Sequence, residues 1–229
     1  MIFGRKKQQA PETASPVSPE SPDEVAPPVD DLDDAARWDA EFDRDEGPFD
    51  INEVDLSADE DEIKRLDLDT LVLTPFEGMT LQLQVDRERE IVQSILVGDG
   101  QSALEVAVFA GPAKSSMAGE IRDEVLQVTQ KQGGKAQVVR GPFGAEIRRA
   151  LPVKDGEGKP AMHLSRTWLV PGPGWVLRGV LLGKATFEPD NDEAQTALTE
   201  FFSNVVVRRG TTPAAPGSLL PMRVPQQES

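Results

Sequence analysis

Met79-Thr80-Leu81-Gln82-Leu83-Gln84-Val85 is the stretch whose reading decides the fold. Met79, Leu81, Leu83 and Val85 fall on one side of an extended chain, and Thr80, Gln82 and Gln84 on the other. The next runs, Ile91–Val97 and Ser102–Phe109, flank Gly98-Asp99-Gly100-Gln101. Two apolar runs around a Gly-Asp-Gly turn predict a β-hairpin. Three antiparallel strands therefore open the folded part of the chain.

Working outward, Gly111-Pro112 breaks the strand pattern and the period changes. Met117, Ile121, Val125 and Val128 recur at helical spacing, with Ala118 and Leu126 widening the stripe. Ser115 or Ser116 suits the N-cap, and Gly133-Gly134 suits the stop. Strands resume over Ala136–Arg140, Ala145–Val153, Met162–Val170 and Trp175–Lys184. They are separated by Gly141-Pro142-Phe143-Gly144, Lys154–Pro160 and Pro171-Gly172-Pro173-Gly174. Asp190-Asn191-Asp192 caps a second helix with Ala194, Ala197, Leu198, Phe201, Phe202 and Val205 on one face. Val205-Val206-Val207 reads as a last short strand. Ahead of all this, Arg65–Leu73 reads as an extended lead-in ending at Pro75. Runs of strands broken by helices predict an α+β fold: a curved, mainly antiparallel sheet of about seven strands with two packed helices.

Charge divides the chain. The 229 residues carry a formal net charge of −16. Residues 1–69 hold 22 acidic and 7 basic side chains, and residues 70–229 hold 18 and 17. Residues 8–30, rich in Pro, Ser and Glu, cannot bury enough apolar surface to offset chain entropy. The expected organisation is a disordered acidic arm over 1–62, one domain over 63–210 and a Pro-rich tail over 211–229. Within the arm, Leu32, Ala35, Trp38 and Phe42 could form a short apolar helical stripe. With Phe49, Trp38 and Phe42 are the candidate docking residues of the arm, on a partner or on its own domain.

Composition excludes several chemistries. With no Cys and one His, Cys-based and His-based metal sites are not expected. Asp59-Glu60-Asp61-Glu62 lacks the glycine turn of a calcium loop. His163 alternates out of phase with Leu164, Trp168 and Val170, as an exposed strand residue does. Nucleophile-elbow, phosphate-loop and dinucleotide signatures are absent. No catalytic residue and no cofactor is assigned. No apolar run reaches about 18 residues, so no transmembrane helix is expected. The N-terminal Phe3 with Arg5-Lys6-Lys7 is too small a patch to anchor the chain to a membrane alone. Strong nucleic-acid binding is not expected either.

One constellation remains: arginine and tryptophan on strands. Arg149, Arg166 and Arg178 lie on predicted strands, and Trp168 and Trp175 bracket the Pro-Gly turn. Arg178 interrupts the apolar run Trp175–Gly183, so it must pair with a carboxylate, reach an edge or face a ligand. Glu105 and Glu146 are the candidate carboxylates. A groove recognising an anion is the second reading, and binding of the acidic arm by these arginines the third. The first functional expectation is a non-enzymatic protein-interaction module, and the alternative a domain binding a small anionic ligand.

Several motifs carry a resemblance. They include Gly47-Pro48-Phe49-Asp50, Arg65-Leu66-Asp67-Leu68, Ala103-Leu104-Glu105-Val106 with Phe109-Ala110-Gly111-Pro112, and Glu120-Ile121-Arg122-Asp123-Glu124. The most specific are Gly141-Pro142-Phe143-Gly144-Ala145-Glu146 and Gly172-Pro173-Gly174-Trp175-Val176-Leu177-Arg178-Gly179, with Val205–Gly210 and Leu219-Leu220-Pro221-Met222 behind them. Together they resemble an actinobacterial family of domains of unknown function, number 3710, over about residues 47–225. The resemblance implies a cytoplasmic, non-secreted protein and brings no catalytic residues. The chain departs from the family at Gly174, where a basic residue is usual, which argues against the turn itself holding an anion.

Overall fold

The alternating runs pair into one seven-stranded antiparallel sheet in the computed structural model, which describes residues 30–57, 64–86, 88, 91–112, 115–187 and 193–223. Its strands are β4 (Thr80–Asp86), β5 (Ile91–Gly98), β6 (Ser102–Ala110), β7 (Lys135–Gly141), β8 (Gly144–Lys154), β9 (Pro160–Gly172) and β10 (Trp175–Gly183). They lie in the order β4-β5-β6-β10-β9-β8-β7. A smaller sheet, β1-β11-β3-β2, is built from Phe49–Asp50, Val206–Val207, Leu71–Leu73 and Leu66–Asp67. The expected extended lead-in is thus a hairpin. Asp69 turns it at φ 68°, and Leu68 donates to the Leu71 carbonyl at 2.8 Å.

Helix α1 spans Asp30–Glu41, α2 Ala118–Lys131 and α3 Glu193–Ser203. Strand parity sends side chains to two faces. One face carries Trp168, Val170, Trp175 and Leu177 against Phe201 and Phe202 of α3 and Leu71 and Leu73 of the small sheet. The other carries Ile147, Leu169 and Val176 against Met117, Ile121 and Val125 of α2. Gly179 makes the first face possible, since a Cβ there would lie 2.7 Å from the Phe202 ring and 3.1 Å from Trp168.

The chain organisation differs from the expected boundaries at both ends. The arm was expected to be disordered to residue 62, yet residues 30–57 build into the body. Ala35 is fully buried, and the Asp39 carboxylate accepts from Arg122 at 2.5 Å and from the Ala145 backbone N–H at 2.8 Å. Gly144, at φ 85°, leaves room there: a Cβ would sit 2.8 Å from Asp39 Oδ1. At the other end, the expected Pro-rich tail enters the large sheet. β5 and β6 pair only from Ile95 onward. The tail fills the opening between them, bridging Val92 through Met222 and Phe109 through Leu219. Met222 is fully buried as a result. The stretch before Asp30, the Asp190-Asn191-Asp192 cap, Asp59–Glu62 and residues 224–229 lie outside the described residues, as do the side chains of Leu32 and Ala194.

Candidate functional site

The five strand residues expected to form one groove divide between the two faces. Trp168 and Arg166 belong to the α3 face and meet at Glu146, which is fully buried. Arg166 donates to both carboxylate oxygens at 2.8 Å, Trp168 Nε1 donates at 2.7 Å and Arg148 Nε at 2.9 Å. Arg166 also reaches Gln195 of α3 at 2.8 Å. The carboxylate thus accepts four bonds, the number that satisfies it. Trp175 is fully buried too. Its Nε1 donates to Asp50 at 2.8 Å, and Arg44 stacks 5.3 Å from the ring centroid. Both tryptophans are core residues and line no groove.

Arg149 and Arg178 point the other way, towards α2. Arg178 donates to Glu105 at 2.9 Å, one of the two carboxylates expected for it, and lies 5.1 Å over the Phe109 ring. Its Nε is buried without a partner. Arg149 donates to Ser165 Oγ at 3.3 Å and has no carboxylate partner among the described residues. Burial, and then the positive charge of Arg178, push the Arg149 guanidinium below the usual arginine range. Both arginines line a groove of about 350 Å³ between α2 and the sheet. Phe109 and Leu169 supply apolar surface from the strands, and Met117, Ile121, Val125 and Val128 from the helix. Glu120 and Glu124, one turn apart, line its helix side, and Gly217 of the tail also lines it.

Such an arrangement can bind an anion. Two guanidiniums in a half-enclosed apolar groove recognise a carboxylate or phosphate. No hydroxyl, thiol or imidazole lines it. His163 is exposed on β9. Among the described residues no group of three His, Asp or Glu is placed to hold a metal. The apolar wall was legible in the α2 stripe. Phe109 and Leu169 were not singled out, although parity places Leu169 on the side of Ser165 and beside Arg178.

The candidate docking residues of the acidic segment lie elsewhere. Trp38 is half-buried on α1. Phe42 packs edge-on against Phe143 at 5.8 Å. Phe49 is half-buried in β1, and its backbone N–H donates to the Val205 carbonyl at 3.0 Å.

Comparison with known proteins defines the class first: a family model described as "Protein of unknown function (DUF3710)" matches residues 47–229. The chain belongs to that family. α1 lies outside the matched stretch. No curated protein matches. Among solved structures, a protein from Bacteroides thetaiotaomicron is similar at 10% identity and a TM-score of 0.38. The match covers 64% of this chain and 49% of that one, so this chain spans about half of its length. The solution structure of CyanoP, the cyanobacterial PsbP of Synechocystis, is similar at 12% identity and a TM-score of 0.36, over 63% of this chain and 91% of that one. Among the described residues no helix is long and apolar enough to cross a membrane.

Proposed function

We propose that the protein is a non-enzymatic, cytoplasmic interaction module that receives an acidic, partly apolar segment of a protein partner in the α2 groove. The observation that carries this reading is Arg149, a half-buried cation that lies beside a second cation and is itself bonded to no carboxylate among the described residues. Like charges held together in a partly dry site favour an anion between them. Glu120 and Glu124 on the helix side argue against a simple dianion, which they would repel. A peptide can set its carboxylate on the strand floor, its apolar side chains on the α2 stripe and a basic residue at the rim. A small amphipathic carboxylate is the second reading, favoured by a groove volume within the range of small-molecule pockets.

Selection of a displayed peptide library on the full chain tests the proposal. Enriched peptides should be acidic, shift the amide signals of Phe109, Leu169 and Arg178, and bind at least about tenfold more weakly to Arg149→Ala. Added salt should weaken them. Peptides that bind Arg149→Ala equally well would sink the assignment. The chain's own acidic segment is separable as an occupant, because the sequence has no cysteine. A spin label on Ser15→Cys that broadens the Arg149 signals would make the ligand internal.

A further inference from the structure

The two edges of the large sheet are unlike. β7, at one edge, carries Lys135 and Arg140 and contacts both α1 and α2. β4, at the other, reads Thr80-Leu81-Gln82-Leu83-Gln84-Val85-Asp86, with no charge before its last residue and no proline. Lysine, proline, bulges and covering elements are what natural edges use against pairing. A bulge does occur here, but β4 runs on through consecutive residues while β5 skips from Ser94 to Val92, so the extra residue is Gln93 of β5. Val85 is 48% exposed, and Leu81 and Leu83 are only half-buried.

The sequence of this edge is complementary to itself. A two-fold axis at Leu83 would place Leu83 opposite Leu83, Leu81 opposite Val85, and Gln82 opposite Gln84. Apolar side chains would meet apolar ones on the α3 face, amide would meet amide on the other, and Thr80 would meet Asp86. No like charges would face each other, and the alternate residues whose N–H and C=O point away from β5 would gain partners. We infer that β4 pairs antiparallel with β4 of a second copy of this chain, joining two seven-stranded sheets across a two-fold axis. Such an interface is isologous, the commonest form for a homodimer. It leaves the α2 groove untouched and does not rest on the function proposed above.

Sedimentation equilibrium of the full chain gives the first reading. The apparent mass should rise with concentration towards twice 24.9 kDa. Gln82→Lys with Gln84→Lys should raise the dimer dissociation constant at least about tenfold, because it sets lysines opposite one another. Both glutamines are exposed, so a thermal melt should show the variant folded. Register is read by disulfides, since the natural chain has no cysteine to interfere. Opposed residues of an antiparallel pair lie within the reach of a disulfide, about 4.4–6.8 Å between Cα atoms. Chains with Gln82→Cys and chains with Gln84→Cys should cross-link when mixed and not when oxidised separately. A chain that stays monomeric at every concentration overturns the inference. So does a dimer that survives the lysine variant, or one that cross-links equally in the unmixed samples.

Discussion

The two faces of the large sheet treat arginine in opposite ways. On the α3 face, Arg166 and Arg148 share the buried Glu146 carboxylate with Trp168. Every lone pair of Glu146 finds a donor, and the polar cluster is closed. On the α2 face, Arg178 keeps one carboxylate and Arg149 none among the described residues, and an apolar groove lies beside them. Buried ionic groups that are fully paired fix a structure, whereas cations left without a partner wait for one. The same residue type is thus structural on one side and available on the other. Residue type alone could not have told them apart.

The largest way to break this contrast is at the closed cluster. Glu146→Gln removes the charge that two guanidiniums share inside the protein, and should cost about 3–5 kcal/mol in denaturant unfolding. Gly179→Ala strikes the same face by volume. Its methyl would press on Phe202 and Trp168 and should cost about 1–3 kcal/mol without touching the groove. Arg149→Ala, on the open face, should change stability by no more than about 0.5 kcal/mol, because the wild-type residue sits against a like charge and donates one long bond. A loss of several kcal/mol there would make Arg149 structural and erase the distinction.

Much of this layout was legible in the sequence. The seven long strands and α2 follow periods of 2 and 3.6, which are local signals. The docking of α1 was not legible, because Asp39 finds its partners at Arg122 and Ala145, far along the chain. An acidic segment reads as solvated until those partners are known. The insertion of the tail was hidden for a similar reason. Prolines mark residues 211–225 as irregular, yet Leu220 donates to the Val108 carbonyl and Met222 to Val92, groups that β5 and β6 leave open to each other. For the arginines, parity was readable: Ile147 and Arg149 share a side of β8, and Val176 and Arg178 share a side of β10. The register was missing. Only the pairing of Arg149 with Ser165, and of Arg178 with Leu169, brings the two onto one face.

The smallest expected effect sharpens the contrast through pH. Arg208 donates to both oxygens of Asp67 at 2.9 and 3.0 Å, tying β11 to β2 in the small sheet that covers the closed face. These bonds hold the Asp67 carboxyl below the usual carboxylate range, against an opposing effect of partial burial, and the pairing raises Arg208. A carboxyl that titrates lower when folded gives its full stabilisation above its unfolded value and loses it as pH falls through its folded value. Asp67 is 54% exposed, so the gain is at most about 1 kcal/mol. Unfolding of wild type and Asp67→Asn between about pH 7 and about pH 3 should show a small gap that closes towards the acid end. Arg149 shifts too, but an arginine lowered from its usual range still stays charged throughout that window. Arg149→Ala should therefore run parallel to wild type over the same titration. A gap at Arg149 that is open at neutral pH and closes with acid would show that a carboxylate is paired with it, and the open face would then be closed like the other.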